Sequence, residues 1–209
     1  MIAMEKQNRI ALVSSAKRLE YFTIIWNLLE GLVSLAAGLF SGSISLVGFG
    51  VDSFIEVASG SIVLWRMSVD HNIARREHNE HLALKLVGFS FIGLSCYLIF
   101  QAIMRFHDRT EPQHSIPGVV IACLSLIVMP LLSRAKRKIA TSLKSSAMKA
   151  DARQTDFCAY LSAILLAGLL LNFLFGWWWA DPVAALIMAA IIGNEGLDAS
   201  LGKRCCDEN

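Results

Sequence analysis

Residues 44–65 read ISLVGFGVDSFIEVASGSIVLW, an apolar run long enough to cross a bilayer that carries two acids, Asp52 and Glu56, near its middle. A helix needs roughly 20 mainly apolar residues to span about 30 Å of hydrocarbon. In a helix two residues four apart project from one face. Each ionised acid at that depth is unfavourable by about 2.5–3.5 kcal/mol on insertion scales. A pair on one face therefore requires a cationic or aqueous partner, and carboxylate oxygens are natural ligands of hard divalent cations. The competing reading is a pair of packing acids, protonated or bonded to neighbouring hydroxyls.

Working outward, three further segments are of the same kind: Phe22–Phe40, Leu82–Met104 and Phe157–Phe175. Ile116–Leu132 is shorter but free of charge, and Val183–Ile192 is apolar for only ten residues. Ala180-Asp181-Pro182 places an N-cap aspartate before proline at the first helical position, and Trp177, Trp178 and Trp179 suit a membrane–water interface. The predicted fold is an all-α membrane protein of six transmembrane helices. It divides into a polar N-terminal segment 1–20, a six-helix domain 21–200 and a short tail 201–209.

The composition agrees. Hydrophobic residues make up 55% of the 209 residues and charged residues 17%. A soluble domain holds about 45–50% and about 25%. A net charge of +2 gives no basic field for nucleic acid, and the expectation is a membrane protein rather than an enzyme. Of the five cysteines, Cys96, Cys123 and Cys158 lie in apolar runs, and Cys205 and Cys206 are adjacent, so no disulfide or zinc-finger spacing is present. The N-terminus shows no signal-peptide pattern, and the tail after the sixth span is too short for a soluble domain.

Basic residues alternate between loops. The N-terminus holds Lys6, Arg9, Lys17 and Arg18, and the loop after the second span Arg66, Arg75 and Arg76. The loop after the fourth holds Arg134, Lys136, Arg137, Lys138, Lys144 and Lys149, and the tail Lys203 and Arg204. The intervening loops hold Arg105 and Arg109. By the positive-inside rule both termini are cytoplasmic, which demands an even number of spans. The membrane expected is the bacterial cytoplasmic one.

Other candidates surround the central pair. Asn27 and Glu30 share a face of the first span and offer extra oxygen ligands, or else interhelical hydrogen bonds. Asp156 enters the fifth span and is read as a third acidic ligand, with an ion pair to Arg153 as the alternative. Asp151 is read as an acid at the cytoplasmic edge. Gly38, Gly42, Gly48, Gly50, Ser53 and Gly60 allow close helix packing. Asp70, His71, His78 and His81 form a possible second, cytoplasmic metal site, although such histidines are usually just solvated.

From Gly42 to Glu56 the sequence resembles the cation diffusion facilitators. In that family an acid–x3–acid pattern on the second helix joins a His–x3–Asp pattern on the fifth to bind zinc or a related ion. The resemblance implies that Asp52, Glu56 and Asp156 are metal ligands. It also implies alternating access with proton antiport, and a homodimer. Ala152 stands where the family has histidine; Gln154 or Glu30 is the candidate substitute, which leaves manganese or iron open beside zinc. The resemblance is to a short form with the membrane domain alone. No resident cofactor is implied; the divalent cation is cargo. The rival readings are a metal-binding membrane sensor or assembly factor that transports nothing, and a proton-coupled transporter of another solute.

Overall fold

The computed structural model describes residues 2–68, 73–108, 113–143 and 146–200, with the side chains of 2–11, 65–68, 73–87, 90, 143, 146–147, 150 and 199 outside the description. Among the described residues there are six helices and no strand: α1 (Ile2–Ser41), α2 (Ile44–Ser68), α3 (Ile73–Asp108), α4 (Ile116–Leu143), α5 (Ser146–Phe175) and α6 (Ala180–Ser200). Among the described residues five stretches are long and apolar enough to cross a membrane: Leu12–Ser41, Ile44–Leu64, Ile116–Ser142, Asp151–Phe175 and Ala180–Asp198. The weak sixth run is therefore part of a helix of sufficient length. α3 is not among the five. The polar stretch before Tyr21 is helical from Ile2 and continuous with the first span.

The burial pattern is that of a membrane bundle. On α1 the polar side chains Glu20, Thr23, Asn27, Glu30 and Ser34 are buried, each at 0% exposure, whereas Phe22, Ile25, Leu29 and Leu32 are more than half exposed. A helix with its polar stripe inward and its apolar stripe outward is stable only where the surroundings are apolar. This protein is an integral membrane protein. The inner apolar cluster joins α2, α3, α5 and α6 through Phe49, Leu98, Leu161, Leu165 and Met188.

Close backbone approach fixes the helix pairs. A Cβ on Gly50 would lie 2.8 Å from the Leu35 nitrogen, so α1 and α2 touch main chain to main chain. α3 and α6 do the same where a Cβ on Gly196 would meet the Gly88 carbonyl oxygen at 2.9 Å. Small residues at such crossings are what membrane helix packing requires. Between α1 and α2 the chain reverses at Gly42, whose φ of 70° favours glycine.

Two sequence expectations change here. Asp181 does not cap its own helix. It lies inside the first turn of α6, fully buried, and its carboxylate accepts hydrogen bonds from the Ser43 and Ser45 hydroxyls at 2.5 Å each and from the Ile44 amide at 2.9 Å. It thus caps α2, whose first N–H groups have no intrahelical acceptor. Lys136, counted above with the loop after the fourth span, lies within α4, which runs on to Leu143, and is fully buried.

Candidate metal site

Asp52 and Glu56, 5% and 1% exposed, do share one face of α2. They line a cleft with Gln154, Cys158 and Leu161 of α5, Phe91 of α3 and Glu195 of α6. Cys158 bridges the acids: its Sγ lies 3.3 Å from Asp52 Oδ2 and 2.7 Å from Glu56 Oε2. A thiol has one proton, so it donates to one of these carboxylates at a time. Thr155 Oγ1 donates to Glu56 Oε1 at 2.9 Å, whereas Asp52 has only the thiol as a hydrogen-bond partner among the described residues.

The other expected ligands divide. Gln154 lines the cleft; its Oε1 accepts from Ser59 Oγ at 2.8 Å and its buried Nε2 has no partner among the described residues. Asp156 faces away. Its carboxylate accepts from Ser133 Oγ at 2.5 Å and pairs with Arg137 Nη2, both on α4. The expected convergence of Asp156 with Asp52 and Glu56 is therefore absent from this structure, and its cationic partner is Arg137 instead of the suggested Arg153. The reason is angular. At about 100° per residue, Gln154 and Asp156 stand about 200° apart on α5, whereas Gln154 and Cys158 are only about 40° apart.

Glu30 is also elsewhere. It accepts hydrogen bonds from Trp26 Nε1 at 2.6 Å, Ser53 Oγ at 3.0 Å and Ser125 Oγ at 2.9 Å, and Ser162 donates to Ser125 at 3.0 Å. It serves the interhelical network, which was the alternative reading. Asn27 is fully buried, and its carboxamide has no partner among the described residues. Asp151 lies within α5, 3% exposed, against Lys136 of α4, and not at an open edge. Asp70 and His71, with Cys205 and Cys206, lie outside the described residues, as do the side chains of His78 and His81.

Two cleft residues were missed from sequence. Cys158 follows Gln154 by one helical turn, and that i, i+4 spacing was the available signal. Glu195 follows Ile192 by three residues, so an acid on the last apolar helix was visible but was placed beyond the span. Together the cleft offers two buried carboxylates, a thiol, a carboxamide and a third carboxylate at its rim. Carboxylates suit hard divalent ions, and a thiolate shifts preference toward zinc, cadmium or cobalt. Among the described residues no three His, Cys, Asp or Glu side chains surround a common ion position. The cleft residues are instead closed onto one another through the thiol.

The fold and site are thus those of a helical membrane domain with acids turned inward on its second helix. Residues 21–200 match the family model for the cation efflux transmembrane domain, and the chain belongs to that family. It is 25% identical over 174 residues to the cation-efflux pump FieF of Shewanella oneidensis, covering 79% of this chain and 58% of the relative. To an uncharacterized transporter of Methanocaldococcus jannaschii it is 28% identical over 187 residues, 86% of this chain and 65% of that one. A cadmium, cobalt and zinc/H(+)-K(+) antiporter of Bacillus subtilis is 28% identical over 176 residues, 81% and 51% of the two chains. The matched region thus spans between half and two thirds of these relatives.

Proposed function

We propose that this protein exports a divalent metal cation from the cytoplasm, with zinc the first candidate and manganese or iron next. The observation that carries the reading is the Asp52–Glu56 pair, buried in an apolar span on one face, with Asp52 bonded by nothing stronger than a thiol. Acids so placed call for a positive partner. Asp52, Glu56 and Cys158 are the proposed ligands, with Gln154 and Glu195 at the rim. Asp156 joins them only if α5 rotates and the Arg137 pair breaks. The thiol, together with the cadmium, cobalt and zinc named for the Bacillus relative, supports zinc over manganese.

In the same reading α3 also crosses the bilayer, giving six spans with both termini cytoplasmic, in the bacterial inner membrane. The alternation of basic loops supports this. The cycle is alternating access with proton antiport, in a homodimer. Carboxylates and a thiol shed protons to bind metal and take them up to release it, which ties the two gradients together. The test is transport by reconstituted protein with a metal-sensitive dye inside the vesicles. Asp52→Ala should abolish zinc-dependent flux while the protein remains monodisperse and helical. Retained flux refutes this cleft, and zinc binding by the wild type without flux selects the sensor reading.

A further inference from the structure

Three ionisable side chains outside the cleft meet on the far side of Thr155. Lys136 of α4, Glu20 of α1 and Asp151 of α5 are 0%, 0% and 3% exposed. Lys136 Nζ donates to Asp151 Oδ2 at 2.5 Å and to Thr155 Oγ1 at 3.3 Å, and lies 3.2 Å from Glu20 Oε2. The charged groups facing it are Asp151, Glu20 and, beyond Thr155, Glu56 of α2. Both oxygens of Glu20, and Oδ1 of Asp151, lack a hydrogen-bond partner among the described residues.

The charges do not balance. Among the described residues, two carboxylates against one ammonium leave a net negative charge in a buried cluster, with three carboxylate oxygens lacking a hydrogen bond, one of them only ion-paired to the ammonium. Buried charge is tolerated when it is paired and its lone pairs are satisfied, and neither condition is fully met. One added proton neutralises the cluster and, carried on one carboxyl oxygen, can donate to one oxygen of the other acid, while Glu20 Oε2 keeps the Lys136 ammonium at 3.2 Å. An inorganic cation fits less well, because the ammonium already occupies the space between the acids and an ion needs its own shell of ligands.

We propose that Glu20, Lys136 and Asp151 form a proton-binding site, separate from the metal cleft, that holds one proton when the cleft is empty and releases it when a divalent cation enters. The proposal rests on the transport reading above for its second half only. Thr155 links the two sites. Its hydroxyl accepts from Lys136 and donates to Glu56 Oε1, or alternatively to the Asp151 carbonyl at 3.2 Å. A divalent ion on Glu56 thus sits two hydrogen bonds from the ammonium and favours the anionic cluster over the neutralised one. The proton leaves one carboxyl for water, and the carboxylate left behind offsets part of the ion's charge. By linkage, the proton lowers metal affinity by the same factor as the metal lowers proton affinity. Two acids around one ammonium titrate as a unit, so the proton belongs to the pair.

Glu20→Gln and Asp151→Asn each leave one ammonium opposite one carboxylate, so neither strands a charge. Zinc titrated calorimetrically into the purified full chain, in buffers of different ionisation enthalpy, counts the protons released per ion. Each variant should bind zinc and release about one proton fewer than the wild type; an unchanged count overturns the proposal. Asp52→Ala should lose zinc binding altogether. If it does not, the cleft assignment fails while the proton count still judges the cluster. Infrared spectra of the metal-free protein give a readout that needs no metal. A protonated-carboxyl band present in the wild type should be lost in Glu20→Gln or in Asp151→Asn, and its persistence at full strength in both defeats the site.

Discussion

Glu30 on α1 and Asp52 on α2 are both buried acids in apolar helices, and Ser53 beside Asp52 turns its hydroxyl to Glu30. Glu30 collects three donors from an indole and two hydroxyls. Asp52 shares a single S–H with Glu56. An acid inside a membrane helix is thus not in itself a binding residue. What separates the two is the supply of donors from neighbouring helices: one carboxylate is built into the scaffold, the other has most of its lone pairs unclaimed among the described residues, as the proposed ion site requires.

Exchanging the two acids for side chains of opposite demand breaks or sharpens that contrast. Asp52→Ala should abolish zinc-dependent flux, with a melting temperature at or above that of the wild type, since donor-poor site residues seldom contribute to stability. Glu30→Ala should do the reverse. It strands the buried Ser125 hydroxyl and the part-buried Trp26 N–H, whereas Ser53 keeps the Phe49 carbonyl at 3.0 Å, a loss of about 2 kcal/mol in thermal unfolding, while flux per folded molecule stays within about twofold. Equal effects of the two variants on flux would erase the distinction.

Cys158→Ser keeps a hydrogen-bond donor but removes the soft ligand. Cadmium affinity should fall about tenfold and manganese affinity much less, as read by competition with a metal dye. Asp181→Ala leaves the Ile44 amide and one of the two serine hydroxyls without an acceptor, while Ser43 still caps the Leu46 amide, and should lower stability by about 2 kcal/mol without changing metal preference. The smallest effect is expected for Arg137→Gln. Its pair with Asp156 is 58% exposed on the arginine side, and such pairs contribute about 0–1 kcal/mol. A large loss of flux there would return Asp156 to the cleft.

Most of the fold was legible in apolar run lengths, because crossing hydrocarbon imposes a length that composition records. Phe22–Phe40 lies within α1, Phe157–Phe175 ends with α5, and Ile44 and Ile116 begin α2 and α4. α6 was underestimated because Glu195 interrupts the run, although a cleft on that face accommodates the acid. The Asp52–Glu56 pair was legible because four-residue spacing on one helix needs no tertiary knowledge. The choice between Cys158 and Asp156 was not, since it depends on how α5 is rotated against α2 and α4. Lys136 was misplaced for a related reason. A basic residue near a helix end reads as solvated until two acids from other helices are known to enclose it.

The carboxylate of Asp181 ties the first turn of α6 to the first turn of α2. Fourteen residues further along α6 stands Glu195, about 21 Å away at 1.5 Å per residue. A rod pinned at one end sweeps most at the other: a tilt of about 10° about that pin carries Glu195 through roughly 4 Å. In the proposed transport cycle the fastening would act as a fulcrum, converting a small rocking of one helix into a wide stroke at the end of the cleft that Glu195 lines.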